Sequence, residues 1–282
     1  MLARRQIRFL PLALAGALII AAAGEARAEG RLEAHYVATL GGIPIGQGNW
    51  VVSIGNEHYS AAASGMTTGL MRVFTGGEGT TVTSGVISSG RLVASIYAAT
   101  IKSRSKTDSV RLTLSNGNVK KAKVEPKPDK DPERVPITEA NRHGVLDPMT
   151  ASMVRVSGNG DVLAPEACHR TMAIFDGRLR YNLRLTYKRM EQVKAARGYA
   201  GPVVVCAVYF TPVAGYVPSR RTIKYLTQVR DMEVWLAPIA GTRILVPFRA
   251  QGPTPIGLAK LEAQQFVSVA GSTRASAASK TR

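Results

Sequence analysis

The sequence predicts an all-β, or β-dominated, fold: antiparallel and hairpin-connected, with one or two short helices. Three observations predict it. Apolar residues recur at a period of two in segment after segment, turn residues punctuate those segments at short intervals, and only one segment carries clear helix-start chemistry. The many glycines within the alternating segments permit strong curvature.

The elements follow in order. "LEAHYVATL" places Leu32, Ala34, Tyr36, Ala38 and Leu40 on one face, and Gly41-Gly42 turns the chain into "IPIGQGNWVVSI", a strand loosened by Gly46 and Gly48. "HYSAAASG" and "TTVTSGVI" read as further strands. "DSVRLTL" and "VKKAKVE" flank Asn116-Gly117, the pair favoured in a two-residue type I′ hairpin. The next eighteen residues, 125–142, hold four prolines and nine charged residues, so they predict an exposed connection. Asp147 then offers an N-cap and Pro148 a first helical position, predicting a short helix over Met149 to Val156.

Beyond Ala164-Pro165, "CHRTMAIF" and "RLRYNLRLTYKRM" face each other across Asp176-Gly177, with Leu179, Tyr181, Leu183, Leu185 and Tyr187 on one face. Gly198 to Gly201 predicts a loop and "PVVVCAVYF" a strand that "TPVAGY" leaves. "RTIKYLTQV" suits a short helix or irregular chain. "DMEVWLAP" and "TRILVPFRAQG" form a hairpin around Ala240-Gly241, and "GLAKLEAQQFVSV" closes the fold as a strand, although its residues also suit a helix.

The first residues predict export. Arg4, Arg5 and Arg8 precede the apolar run Leu10 to Gly24, and Ala26-Arg27-Ala28 supplies small residues at −3 and −1 of a cleavage site. The run is shorter than the ~20 apolar residues that span a bilayer, so residues 1–28 read as a cleaved secretory signal and the expected compartment is the periplasm. Residues 29–269 are expected to form a single β-rich domain, with two lobes joined near 125–142 as the alternative. Residues 270–282, small, polar and basic, are expected to be disordered.

Removing residues 1–28 takes away four arginines and one glutamate, so the formal charge falls from +18 to +15. Export and the lack of zinc-finger, helix-turn-helix or RNA-binding signatures exclude nucleic acid as the partner. The cations are spread along the chain, which predicts a solvated surface with weak attraction to an anionic membrane.

Two cysteines in an exported chain predict a structural disulfide between Cys168 and Cys206, both placed in strands. A catalytic thiol or a metal site would have to use His169, the only histidine close in sequence, and CxxC is absent. His35, His58, His143 and His169 show no metal-ligand spacing, and neither GxSxG nor a phosphate loop occurs. Asp147 reads as a cap and Asp176 as a turn residue rather than as general acids. Trp50 and Trp235 read as core or rim aromatics, with ligand stacking as the minor alternative. The sequence therefore predicts no catalytic residue, no metal and no cofactor.

Taken together, "GIPIGQG", "VLDPMTA", "CHRTMAIFDGRLRYNLRL", "VVCAVYFTPVAGY" and "MEVWLAP" resemble the bacterial domain-of-unknown-function family numbered 3108, in its exported alpha-proteobacterial form. The resemblance runs from about Arg31 to Val269. It implies an envelope protein with a curved antiparallel sheet, similar in shape to the half-barrels of periplasmic lipoprotein carriers and to a spiral-β family known for cell-envelope integrity. It supplies no catalytic residue. The leading expectation is a non-enzymatic protein that binds a partner protein in envelope integrity or assembly. The alternative is a carrier of a lipid or other apolar ligand on the concave face. A helix filling the concavity would favour the first, and a continuous apolar void the second.

Overall fold

The computed structural model describes residues 30–69 and 76–271. The predicted signal segment and almost all of the predicted tail lie outside them. Seven strands make up the first half: β1 (Gly30–Leu40), β2 (Ile43–Ile54), β3 (His58–Thr67), β4 (Glu78–Ser88), β5 (Arg91–Lys102), β6 (Thr107–Ser115) and β7 (Asn118–Glu125). After the proline-rich connection come α1 (Pro148–Ala151) and β8 (Val154–Arg155). The second half continues with β9 (Arg170–Phe175), β10 (Arg180–Lys194), β11 (Arg197–Gly198), β12 (Ala200–Ala214), α2 (Arg221–Gln228), β13 (Glu233–Pro238), β14 (Ile244–Thr254) and β15 (Gly257–Ala270).

Among the described residues, all fifteen strands belong to one sheet. Its path runs β7-β6-β5-β4-β3-β2-β1-β15-β14-β13-β12-β10-β9, and every ladder along that path is antiparallel. Hairpin succession explains each half, since neighbours in sequence pair in space. The halves meet where the first strand pairs with the last, from Gly30 opposite Ala270 to Leu40 opposite Ala259.

The sheet curls until its two edges approach, but no ladder closes it. The segment before α1 bridges the gap: Val145 N donates to Gly117 O at 2.8 Å, Leu146 N to Ala173 O at 2.8 Å, and Phe175 N to Leu146 O at 2.9 Å. Arg178 adds hydrogen bonds from Nη2 to Asp108 Oδ1 and to Glu125 O, each 3.2 Å. The proline-rich connection is held to the second half by Val135 N to Tyr216 O and Gly215 N to Val135 O. The edges of an open sheet are thus covered, which protects them from pairing with other chains.

The core has two parts. The larger gathers Leu32, Val52, Leu112, Phe175, Trp235 and Phe266 with their neighbours, and the smaller gathers Leu185, Val204, Cys206, Val234, Leu236 and Leu245. Strand β12 faces both, with Val203 and Val205 in the first and Val204 and Cys206 in the second. A strand buried on both faces reads as the unbroken apolar run "VVVCA".

Several expectations need correction. The helix after Asp147 spans Pro148–Ala151 rather than reaching Val156, because the chain extends at Val154 to pair with β14. Gly198 to Gly201 is not a loop: Arg197-Gly198 pairs in parallel with β15, and β12 starts at Ala200 and runs on to Ala214. Cys168 closes the 3-10 turn Pro165–Cys168 rather than lying in a strand. Strand β5 had no place in the sequence reading. Its buried residues are Leu92, Ala94 and Tyr97, so the alternation changes phase after Ala94, where the register slips opposite Gly85. That slip needs glycine, since a Cβ on Gly85 would sit 2.1 Å from Val93 O.

Candidate functional site

Cross-strand rows show how the first half builds its concave face. One row runs Leu32, Val52, Ala61, Thr83, Tyr97; the next runs Ala34, Trp50, Ala63, Thr81, Ala99; the third runs Tyr36, Gly48, Gly65, Gly79, Ile101. Side-chain volume falls away along the strands until three glycines stand in a line. A Cβ on Gly48 would lie 2.6 Å from Ser64 O, so the close approach of β2 and β3 excludes a side chain there. The bulky end of the face can be filled; the glycine end leaves a void.

The filling comes from α1. Asp147, fully buried, caps it by accepting hydrogen bonds at Oδ1 from Met149 N and Thr150 N, both 3.0 Å. Thr83 Oγ1 lies 3.0 Å from Ile96 O, to which it donates, and 3.2 Å from both Asp147 Oδ2 and Thr150 Oγ1; the latter is 2.9 Å from the Tyr59 hydroxyl. The network anchors the helix to β3 and β4. Desolvation pushes the Asp147 carboxyl above the usual carboxylate range, against the hydrogen bonds it accepts, and pushes the Tyr59 hydroxyl up to about 12.

Helix α1 does not fill the rest. On one side of it lies a cavity of about 610 Å³, lined by Tyr36, Trp50, Ala63, Gly65, Tyr97 and Ile101 among others. On its other side lies a cavity of about 580 Å³, lined by Ile174, Leu183, Leu185, Val208, Leu236 and Ala250 among others. Ala38, Pro148, Ser152, Pro247 and Leu261 line both. The two are chambers of one apolar concavity, with the short helix as the divider. Each volume falls within the ~300–1,000 Å³ usual for small-molecule sites. Leu226 of α2 reaches the second chamber. At the wall of the first, Trp50 is 7% exposed and its Nε1 has no hydrogen-bond partner among the described residues.

The disulfide joins Cys168 to Cys206, with Cα atoms 5.5 Å apart. It lies in the smaller core beside Leu185 and Val234, both of which line the second chamber, so it braces that wall. Asp176 caps the β9–β10 turn, its Oδ1 accepting from Arg178 N and Leu179 N at 2.7 Å each. Trp235 is 2% exposed; its Nε1 donates to Glu191 Oε2 at 2.7 Å, and the Arg249 guanidinium lies 4.9 Å from its ring centre.

The histidines stay apart. The Nδ1 of His35 meets Asn49 Oδ1, that of His143 meets Asn118 Oδ1, His58 is exposed, and His169 follows the disulfide turn. Among the described residues no group of three or more His, Cys, Asp or Glu is placed to hold a metal ion. Of the chamber residues, sequence reasoning raised ligand contact only for Trp50, as a minor alternative to a core role. The available signal was the glycine spacing of β2 and β3, whose consequence depends on register.

Fold and site define an open, barrel-like antiparallel sheet protein with an apolar concavity. The chain belongs to the family described as Protein of unknown function (DUF3108), which it matches over residues 35–264. No curated protein matches the chain. It is similar to a solved β-barrel-like protein of the domain of unknown function DUF1849 from Brucella abortus, at 11% identity and a TM-score of 0.45, covering 85% of this chain and 98% of that one. A DUF1329 family protein from Desulfovibrio piger is 9% identical, with a TM-score of 0.18, covering 87% and 85% of the respective chains.

Proposed function

We propose that this protein is a non-enzymatic periplasmic carrier that holds an apolar ligand, a lipid or other acyl-chain molecule, in the concavity divided by α1. The observation that carries the proposal is the pair of apolar chambers, about 610 and 580 Å³, sharing five lining residues. A scaffold that only presents a surface to a partner protein has no use for such a void, and filling it would stabilise the fold. The alternative weighed in the sequence therefore moves ahead of the partner-protein reading.

Native mass spectrometry of the protein purified from its own cells, followed by organic extraction, tests the reading. A stoichiometric acyl-chain adduct is expected. A bare mass, together with failure to bind a fluorescent fatty-acid probe, would overturn it and return the partner-protein reading to the lead. Ala38→Phe should narrow both chambers and weaken probe binding by about tenfold while leaving the fold intact.

A further inference from the structure

We propose that the rim adjoining both chambers is a docking surface for an anionic lipid bilayer. The rim is the end of the sheet made by the β1–β2, β5–β6 and β14–β15 turns. The first and last of these touch: Gly41 N donates to Leu258 O at 2.9 Å, and a Cβ on Gly257 would come within 3.3 Å of Gly41. Together they present Ile43, 67% exposed, and Ile256, 76% exposed. Ile101 and Met66, at the same end of β5 and β3, are 59% and 49% exposed.

Scattered exposed apolar residues are ordinary, so their distribution decides. Of the five most exposed large apolar side chains among the described residues, these are four; the fifth, Val269, lies at the opposite end of the sheet, in β15 across from Arg31 rather than in a turn. The opposite end of the sheet turns through Gly55-Asn56-Glu57, Ser89-Gly90 and Asn116-Gly117, with no such side chain at a tip. The apolar tips adjoin the cavity lining. Ile45, Pro253 and Ala259 behind them line one chamber, and Met66 and Ile101 line the other.

Charge selects the partner. The β5–β6 turn exposes Lys102, Arg104 and Lys106 beside the apolar tips. Glu78 and Asp108 pair with the two lysines at 3.5 and 3.0 Å, and residues 29–282 as a whole keep a formal charge of +15. Apolar tips flanked by cations fit a bilayer whose head groups are anionic, since insertion and attraction then add. The docking surface stands on exposure and placement at the rim, independently of what the chambers hold.

Vesicle flotation tests it, using residues 29–282, which contain every described strand. The protein should float with phosphatidylcholine vesicles containing phosphatidylglycerol, and much less with phosphatidylcholine alone. Ile43→Ser with Ile256→Ser leaves the charge unchanged and alters only exposed tips, so the melting temperature should hold while the partition coefficient falls about tenfold or more. Lys120→Gln with Lys121→Gln, on β7 away from the rim, should leave it within about twofold. No flotation with either vesicle, full binding by the serine variant, or an equal loss from the β7 variant would each overturn the proposal. The mass-spectrometric test of the ligand is unaffected by any of these results.

Discussion

At the scale of single residues, the buried carboxylates pull stability in opposite directions with pH. Asp147 has its carboxyl raised by desolvation, so the folded chain holds that proton more tightly than the unfolded one. Its contribution is greatest below the ordinary carboxylate range and is lost as pH rises toward the raised value. Asp147→Asn keeps an oxygen for Met149 N and Thr150 N, and should flatten the fall in unfolding free energy as pH rises above the ordinary carboxylate range. Asp147→Ala removes the cap and should cost about 1–3 kcal/mol by urea denaturation. Glu233 is the reverse case. Hydrogen bonds from Arg189, opposed by desolvation and aided by Lys188, hold its carboxyl below the usual range, so its stabilisation is present above that range and is lost as pH falls through the lowered value. Arg189→Ala should cost about 1–2 kcal/mol near neutral pH, because Lys188 still pairs with Glu233, and the cost should shrink on acidification.

At the scale of elements, the two outer glycines of the row Gly48, Gly65, Gly79 make a sharp comparison. A Cβ on Gly48 would strike Ser64 O at 2.6 Å, whereas one on Gly79 meets Thr100 O at 3.6 Å and Ile101 at 3.7 Å, ordinary contacts. Gly48→Ala should therefore cost about 1–3 kcal/mol in thermal unfolding, and Gly79→Ala should be close to neutral while trimming the chamber. The disulfide acts at this scale too, tying the turn before β9 to β12. Replacing both cysteines by alanine should cost about 2–4 kcal/mol. Strand β2 and the β6–β7 hairpin were legible from sequence to within a residue or two, the hairpin despite a register slip at Thr113/Leu114 because Asn116-Gly117 marks its turn. Strand β5 was not, because its bulge shifts the pattern by one residue and hides Tyr97, Ala99 and Ile101, all of which line a chamber. Asp147 was legible as a cap because the signal for a cap is local. That the helix it starts divides a cavity is not local, and no spacing in the sequence encodes it.

At the scale of the whole molecule, the curved sheet was legible in outline, but its continuity was not, since pairing of β1 with β15 joins residues more than 200 positions apart. That ladder joins the two halves by hydrogen bonds in addition to the covalent link of the proline-rich connection. The two tryptophans offer a direct test. Trp50 lies in β2 and Trp235 in β13, one in each half of the chain. Trp50→Phe and Trp235→Phe each leave one tryptophan to report on its own half, while far-UV circular dichroism reports on the entire sheet. If the ladder couples the halves, fluorescence and dichroism coincide during urea unfolding within each variant, because losing either half exposes the apolar side chains of β1 or β15 that the other half covers. Two separate fluorescence midpoints, with dichroism spanning both, would mean that the halves unfold independently despite their shared ladder. Such a result would also make the concavity a junction between lobes, able to widen without unfolding either one.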